Sequence, residues 1–283
     1  MTDPTEDAKQ HIQYTIEFDP CEEMAVGVPK IIFIVPYRDR ELQKTFFIRQ
    51  MGYVLEDMNK CDYKIYFIEQ GDKRTFNRGA MKNIGFLAMR EKYPDHYKDI
   101  TFVFNDVDTM PFTKNFLDYQ TVHGKIKHFY GFHFALGGII SVTGRDFERL
   151  NGFPNFWAWG FEDNLLNQRA LQARIEIDRT QFYPIYDKHI IQLNDGLVRN
   201  VNRTEYIRYA KKTVEGWNTI RQLQYFINEE GMTVYVEGFN TGIEEKIADT
   251  KIHDLRTGNK PYPDILRGGR GFAMNFAVLQ SKK

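Results

Sequence analysis

Two aspartates that follow a predicted strand are the first residues whose spacing indicates chemistry. Asp106-Val107-Asp108 comes directly after the apolar run TFVF at residues 101–104. Residues i and i+2 at a strand end point the same way, so both carboxylates face one spot. Carboxylate oxygens are hard ligands that suit Mg²⁺ or Mn²⁺ holding a diphosphate. The alternative is a solvated turn, because such triplets are common by chance.

An aromatic loop followed by two carboxylates is the second candidate. Residues 157–164 read WAWGFEDN, and Glu162 and Asp163 open a predicted helix. This combination suits saccharide chemistry, since an indole can stack on a sugar ring and a carboxylate can accept a proton. The alternative is an aromatic plug in the core, with carboxylates that complement the helix dipole. His189 is a third candidate, either a metal ligand or an ordinary structural histidine.

Strands alternating with helices must position these residues. The predicted strands are residues 30–35, 63–68, 101–104, 137–142 and 232–236. The predicted helices are residues 41–57, 78–91, 162–173 and 204–228, with a short helix after a capping box at residues 143–146. This order predicts an α/β fold with a mostly parallel central sheet, Rossmann-like, and helices on both faces. Ligands bind beyond the carboxyl ends of such strands, where residues 36–40 and 105–108 fall.

Composition excludes several classes of protein. The 283 residues carry 38 basic and 38 acidic side chains. The formal net charge is therefore zero and gives no reason to expect binding to nucleic acid or to an acidic membrane. A hydrophobic content of 42% supports a sizeable core and argues against disorder. Two cysteines exclude a disulfide framework and allow one bridge at most. The sequence contains no signal peptide and no apolar run of about 18 residues, which predicts a cytoplasmic protein or a soluble form trimmed of its anchor.

Seven ordered sequence blocks resemble one family of enzymes. They are VPYRDR at 35–40, QGD with FNR at 70–78, NIGF at 83–86, FNDVD at 104–108, GG at 137–138, NGFPN at 151–155 and WAWGFED at 157–163. This pattern resembles the β-1,4-galactosyltransferase family of glycosyltransferases over about residues 28–238. The resemblance implies a GT-A fold, Mn²⁺ and inversion at the anomeric carbon. It also implies a UDP-sugar donor, Gal or GalNAc, and a saccharide or glycoconjugate hydroxyl as acceptor, in a β1,4 linkage.

The resemblance also assigns domains. It implies a GT-A catalytic domain at residues 29–238. Residues 1–28 are expected to form an irregular lead-in, and residues 239–283, which have no recognised counterpart in the family, a C-terminal extension of unknown role. We expect this extension, with its Arg-Gly run at 267–271, to pack loosely. That run is a weak reason to expect nucleic acid, and none is expected as a partner.

Site residues follow from the matched blocks. The resemblance implies that the donor nucleotide and phosphates contact Pro36, Tyr37, Arg38, Arg40, Phe76, Arg78, Asp106, Val107 and Trp159. It implies that donor or acceptor sugars contact Ala135, Gly138, Trp159, Glu162, Asp163 and Asn164. Asp163 matches the general base beside Glu162, and Asp108 and His189 match metal ligands. Arg203 and Ile207 align loosely with a pocket for an acceptor N-acetyl group.

Four positions depart from the family pattern. Tyr186 stands where the family has a methionine metal ligand, so water or Asp187 is expected to complete the metal shell. Asn164 replaces an acceptor-binding aspartate, and Ala158 replaces a glycine. Ala135 replaces a tyrosine that restricts the donor C2 substituent, which predicts that UDP-GalNAc is accepted. These departures keep open a non-catalytic saccharide-binding relative, and a retaining transferase is a third alternative.

Overall fold

The computed structural model describes residues 27–194, 196–258 and 261–262. The described helices are α1 Glu41–Val54, α2 Arg78–Lys92, α3 Gly144–Arg149, α4 Glu162–Gln172 and α5 Arg203–Ala210. The described strands are β1 Ile31–Tyr37, β2 Tyr63–Gln70, β3 Thr101–Asn105, β4 Thr109–Pro111, β5 Lys125–Gly131, β6 Ile139–Thr143, β7 Glu176–Asp178, β8 Tyr183–Pro184, β9 Ile190–Gln192, β10 Val198–Asn202, β11 Arg221–Asn228, β12 Thr233–Asn240 and β13 Thr250–Asp254.

A single large sheet organises the chain. Its order is β11-β12-β2-β1-β3-β6-β5-β7, with β8 pairing to β5. The central pairs β12–β2, β2–β1 and β1–β3 are parallel, and β6 runs antiparallel to β3. Because β6 is reversed, its start lies at the same edge as the ends of β1, β2 and β3. That edge therefore collects four loops.

Helices cover both faces of the sheet, as the alternation predicts. Along β1, Ile32 and Ile34 belong to the core that includes α2, whereas Phe33 and Val35 pack with Phe47 of α1. All four β1 side chains are fully buried, which explains why the strand reads as a continuous apolar run. The prediction of a mostly parallel sheet between helices is confirmed.

The first strand extends past the proline at which its predicted end lies. Pro36 pairs with Ile68 of β2, whereas the pairing of β1 with β3 stops at Ile34. Pro36 has no N–H to donate. The side of β1 that faces β3 is no longer paired at this residue, so no donor is needed there. The strand therefore continues to Tyr37 and brings the following arginines to the sheet edge.

The long helix predicted at residues 204–228 is wrong. Helix α5 ends at Ala210, and β11 begins at Arg221 as an edge strand beside β12. Exposure alternates along most of β11, as expected for a strand with one solvated face. Pairing with β12 therefore outweighs the helical spacing, because local propensity is a weak prior against tertiary contacts.

The segment after Gly238 is more ordered than expected. Strand β12 continues to Asn240, and β13 pairs antiparallel with β10. The expectation of loose packing is therefore wrong for the described part of this segment, while the run at 267–271 and the lead-in at 1–26 lie outside the described residues. Among the described helices, none is both long and apolar enough to cross a bilayer.

Candidate active site

A cleft of about 670 Å³ lies at the sheet edge where β1, β2 and β3 end. It is walled by the loops that follow these strands and by the loop that precedes β6. The predicted site residues that line it are Pro36, Arg38, Arg40, Phe76, Arg78, Asp106, Val107, Asp108, Ala135, Gly138, Trp159, Glu162, Asp163 and Asn164. This is the edge at which α/β sheets bind ligands.

Arg78 is the centre of the cleft's electrostatics. Its Nη2 lies 2.6 Å from Asp106 Oδ1, and its Nη1 lies 2.7 Å from Glu162 Oε1 and 3.0 Å from both oxygens of Asp163. The guanidinium is 18% exposed, so these are partly desolvated ion pairs. One arginine therefore gathers carboxylates from the loop after β3 and from the start of α4.

Glu162 and Asp163 have opposite pKa shifts. Burial raises the pKa of Glu162, and the neighbouring Asp163 charge adds to this although Arg78 opposes it. Burial also acts to raise the pKa of Asp163, but Arg78 and Lys82 together bring it below its ordinary value. Asp163 is therefore ionised at neutral pH and able to accept a proton. Within the described residues, Glu162 Oε2 is buried without a hydrogen-bond partner.

Two sequence blocks interlock to position Arg78. Asn77 caps α2 by accepting a hydrogen bond from the backbone N–H of Ala80, and its Nδ2 donates to the carbonyl of Asn155. A side-chain carbon at Gly79 would lie 2.1 Å from the carbonyl oxygen of Pro154, so only glycine allows this approach. The start of α2 is thus fixed against residues 153–155 of the NGFPN block.

The aromatic loop divides into a buried and a cleft-facing part. Trp157 is fully buried, and its indole N–H donates to the carbonyl of Ile243. Trp159 is half-buried, lines the cleft and is held by a hydrogen bond from its backbone N–H to Asn200. Ala158 between them has a φ of +82°, a conformation that favours glycine. The buried aromatic residue and the cleft-facing one are therefore two different tryptophans.

Two carboxylates that suit a metal, those of Asp108 and Asp187, lie close enough to Tyr130 for their charges to act on it. Asp108 lines the cleft, and its charge and that of Asp187 both contribute to the raised pKa of Tyr130, which burial chiefly brings to about 12. His189 Nδ1 lies 2.8 Å from Asp187 Oδ1, so Nε2 is the ring nitrogen that can bind a metal. A carboxylate that orients a histidine in this way is common beside protein metal sites. Across residues 27–258 apart from 195, no cluster of three His, Cys, Asp or Glu side chains forms a metal cage by itself.

The side of the cleft that carries Arg38 and Phe76 is basic and aromatic. The Arg38 guanidinium lies 5.3 Å from the ring centre of Phe76 and donates to the carbonyl of Arg74 at 2.6 Å. Asp106 is tied to the opposite wall, because its backbone N–H donates to the carbonyl of Gly138 at 3.0 Å. A planar ring held between these walls has stacking surfaces and cations within reach.

Some predicted residues lie elsewhere. Tyr37 points toward α1, because successive side chains of a strand face opposite ways, and its hydroxyl donates to Glu41 at 2.9 Å. His189 stacks on Phe116 and is not among the cleft-lining residues. Arg203 begins α5 and is exposed, and Ile207 is half-buried one turn later, so neither lines the cleft.

A buried charged residue beside Asp163 was missed in the sequence. Lys82 is 1% exposed and donates to Asp163 Oδ1 at 3.3 Å. The available signal was its spacing, four residues after Arg78 on one helix face. A lone lysine in a helix is usually a surface residue, so the spacing did not stand out.

Comparison with known proteins identifies the family. Residues 2–120 match the profile of the N-terminal region of glycosyl transferase group 7, and residues 118–191 match that of the N-terminal domain of galactosyltransferase. Beta-1,4-galactosyltransferase 4 of Cricetulus griseus is 30% identical over 169 residues, which cover 56% of this chain and 47% of that relative. The chain belongs to the β-1,4-galactosyltransferase family.

Other members of the β-1,4-galactosyltransferase family match at similar levels. Beta-1,4-galactosyltransferase 5 of Sus scrofa is 28% identical over 209 residues, covering 70% of this chain and 52% of that relative. Beta-1,4-galactosyltransferase 6 of Homo sapiens is 28% identical, with 68% of this chain and 52% of that relative covered. The chain thus spans about half the length of these relatives.

Solved structures confirm the GT-A fold. The catalytic domain of Drosophila β1,4-galactosyltransferase 7 in complex with xylobiose superposes with a TM-score of 0.56 at 21% identity, covering 74% of this chain and 93% of that chain. A mutant of the same enzyme in complex with manganese, UDP-Gal and xylobiose superposes with a TM-score of 0.54 at 20% identity, covering 74% and 93%. At this identity the likeness establishes the fold alone.

Proposed function

We propose that the protein is an inverting, Mn²⁺-dependent glycosyltransferase. It transfers galactose or N-acetylgalactosamine from a UDP-sugar to a hydroxyl of a saccharide acceptor, in a β1,4 linkage. The observation that carries this proposal is the arrangement around Arg78, which brings an ionised Asp163 and a buried Glu162 beside a basic, aromatic cleft. Membership of the β-1,4-galactosyltransferase family supports the same reaction.

Asp163 is the proposed general base. Its carboxylate accepts the proton of the acceptor hydroxyl as that oxygen attacks the anomeric carbon of the donor. The lowered pKa keeps it ionised but makes it a modest base. Trp159 on the adjacent loop supports the same step by excluding water and fixing the acceptor ring.

Glu162 is proposed to bind the acceptor. Its Oε1 accepts from Arg78, while its buried Oε2 has no partner within the described residues. An unsatisfied buried carboxylate oxygen is costly, and an acceptor hydroxyl that donates to it would remove this cost. We therefore assign Glu162 to acceptor binding and Asp163 to proton removal.

The metal is proposed to be held by Asp108 and His189. A hard carboxylate and an imidazole oriented by Asp187 form a donor set that fits Mn²⁺, with water at the remaining positions. When bound, Mn²⁺ neutralises the diphosphate and stabilises UDP as a leaving group. Arg38 and Arg40 at the end of β1 supply further positive charge at the same sheet edge.

The donor is proposed to include UDP-GalNAc. Ala135 is buried in the cleft wall, where its small side chain leaves room that a tyrosine would fill. Leu136 cannot occupy this room, because it is fully buried in the main core. Phe134 stacks on Phe132 with ring centres 5.1 Å apart and lines the same wall. The tyrosine's role in crowding an N-acetyl group is therefore not taken over by Leu136.

A UDP-release assay tests the metal and the reaction together. The protein is incubated with UDP-Gal or UDP-GalNAc, Mn²⁺ and a panel of saccharides, and UDP is quantified. We expect acceptor-dependent UDP release that is lost in Asp108→Ala. Asp99→Ala, an exposed carboxylate that pairs with Arg145, is the matched control and should keep full activity. Near-normal Mn²⁺-dependent release by Asp108→Ala would overturn the metal assignment, and saccharide affinity without UDP release would indicate a non-catalytic relative.

A further inference from the structure

A buried lysine stands behind the proposed base. The Nζ of Lys82 lies 3.3 Å from Asp163 Oδ1 and 3.8 Å from Asp106 Oδ1, and its side chain is 1% exposed. The same Nζ lies 4.5 Å from the ring centre of Phe153, which is fully buried. A buried ammonium requires carboxylate partners of this kind, because desolvation is otherwise too costly.

Helix α2 delivers Lys82 and Arg78 to the same place. The two residues are four apart, so their side chains lie on one helix face. They meet the three carboxylates of Asp106, Glu162 and Asp163, which leaves one net negative charge among these five groups. Arg78 is shared among all three acids, whereas Lys82 hydrogen-bonds Asp163.

We propose that Lys82 is a positioning residue for the transfer reaction: its ammonium holds the Asp163 carboxylate in place and supplies charge that the shared Arg78 does not. This inference rests on the proposed function. The opposite wall leaves Asp163 little freedom, since a side-chain carbon at Gly137 would lie 2.1 Å from Asp163 Oδ2. Asp163 is therefore held between a glycine on one side and two cations on the other.

The charged groups that face Asp163 determine what loss of Lys82 does. Arg78 and Lys82 approach from α2, Glu162 from its own helix and Asp106 from the loop after β3. His128 on β5 adds no charge at neutral pH, because burial lowers its pKa to about 3. Without Lys82, two acids would oppose the ionisation of Asp163 and only Arg78 would favour it. The pKa of Asp163 would then rise.

The test compares pH profiles of Lys82→Met and the wild type. Methionine keeps the apolar stem and removes the charge. We expect the acid limb of the kcat/KM profile, recorded over a series of pH values, to lie about one pH unit or more higher in Lys82→Met, because removing a charge at this distance raises the pKa of a carboxyl group by about that amount. The KM for the UDP-sugar should change little. Lys92→Met, on the same helix but paired with Glu229 outside the cleft, should keep the wild-type profile.

Two further variants keep the test decisive. Lys82→Gln should show the same shift if the methionine variant folds poorly, and Lys82→Arg should restore part of the acid limb. Thermal unfolding of each variant checks that the protein is folded across the pH range. A wild-type protein that transfers sugar, together with an unchanged acid limb in the folded uncharged variants, would overturn the role of Lys82. A wild type that releases no UDP from any donor would instead overturn the proposed function.

Discussion

Glu162 and Asp163 are adjacent in α4, yet their carboxylates meet different surroundings. Glu162 is more deeply buried, and one of its oxygens is unpaired within the described residues. Asp163 contacts two cations, Arg78 and Lys82. These different environments support the roles proposed for the two side chains: an ionised carboxylate that removes a proton and a buried one that binds a hydroxyl.

Replacing Asp163 by asparagine tests the assignment of the base. Asparagine keeps the size of the side chain but cannot accept the proton at neutral pH. We expect kcat to fall by at least about 10²-fold with donor affinity largely kept. Steady-state kinetics and UDP-sugar titration measure the two quantities. An active Asp163→Asn beside an inactive Glu162→Gln would show that the two roles are reversed.

Replacing Ala135 by tyrosine tests the donor assignment. The wild type should accept UDP-GalNAc at least as well as UDP-Gal. Ala135→Tyr should shift the preference toward UDP-Gal, because the added ring refills the cleft wall. The change should be modest, since space alone contributes about 1–3 kcal/mol of apolar contact. Competition between equal amounts of the two donors measures it, and a strong UDP-Gal preference unchanged by the substitution would exclude a role for this position.

Sequence predicts the acidic residues of the site better than the basic ones. Asp106, Glu162 and Asp163 stand in motifs whose order is specific, and the structure brings all three to Arg78. The sequence does not predict that Lys82 belongs to the site, because its burial depends on the packing of α2 against residues from other parts of the chain. Tyr37 is the converse case: it stands inside a motif, but the strand's alternation turns it toward α1.

At the scale of elements, α5 supports the tryptophan loop through a buried cluster. Arg208 forms ion pairs with both Glu205 and Glu215, and the backbone amide of Trp157 hydrogen-bonds to Glu205. Burial raises the pKa of Glu205 from 4.5 to about 7, although Arg208 opposes this. The loop that carries Trp159 is therefore fastened to a carboxyl group that titrates near neutral pH.

Glu205→Gln is expected to change the pH dependence of stability. A carboxyl group whose pKa is raised on folding contributes stability that is full below pH 4.5 and lost as the pH rises through about 7. Glutamine does not titrate, so the Tm of the variant minus that of the wild type should increase as the pH rises from about 5 to about 8. Each kcal/mol corresponds to about 2–4 °C. Glu176→Gln, an exposed residue paired with Lys125, is the control, and a constant Tm difference across this range would contradict the cluster's role.

Elements also differ in how well sequence predicts them. Strands β1, β2 and β3 are apolar runs long enough to identify, because they are buried between two helical layers. Strand β11 is an edge strand with polar residues on its solvated face. Its alternating pattern follows a helix-forming segment closely in the sequence and is hard to separate from it. Strand β11 was therefore missed because it forms through long-range pairing with β12, which a local sequence pattern does not contain.

At the scale of the whole molecule, the cleft depends on residues beyond the matched family blocks. Ile243 accepts the indole hydrogen bond of Trp157, and Glu245 accepts from the backbone N–H of Thr75 at 3.1 Å. Leu255, just after β13, lines the cleft itself. We therefore propose that the catalytic unit extends beyond Gly238 and includes part of the C-terminal segment.

A chain that ends at Gly238 tests this extension. It should have a lower Tm than the full chain and a lower kcat/KM for the acceptor. The Trp157 N–H would lose its partner, a cost of about 1–3 kcal/mol for a buried donor. A chain that ends at Tyr262 keeps the contacts given above and is the matched comparison. Equal stability and activity of the Gly238 form would show that the later residues are dispensable.

The anomeric configuration of the product tests the central claim most directly. The protein is given UDP-Gal or UDP-GalNAc, Mn²⁺ and the acceptor that best stimulates UDP release. The new glycosidic bond is then assigned by ¹H NMR. We predict a β-linked product from these α-linked donors, formed by the wild type and not by Asp163→Asn. An α-linked product, or tight saccharide binding with no transfer at all, would contradict the account.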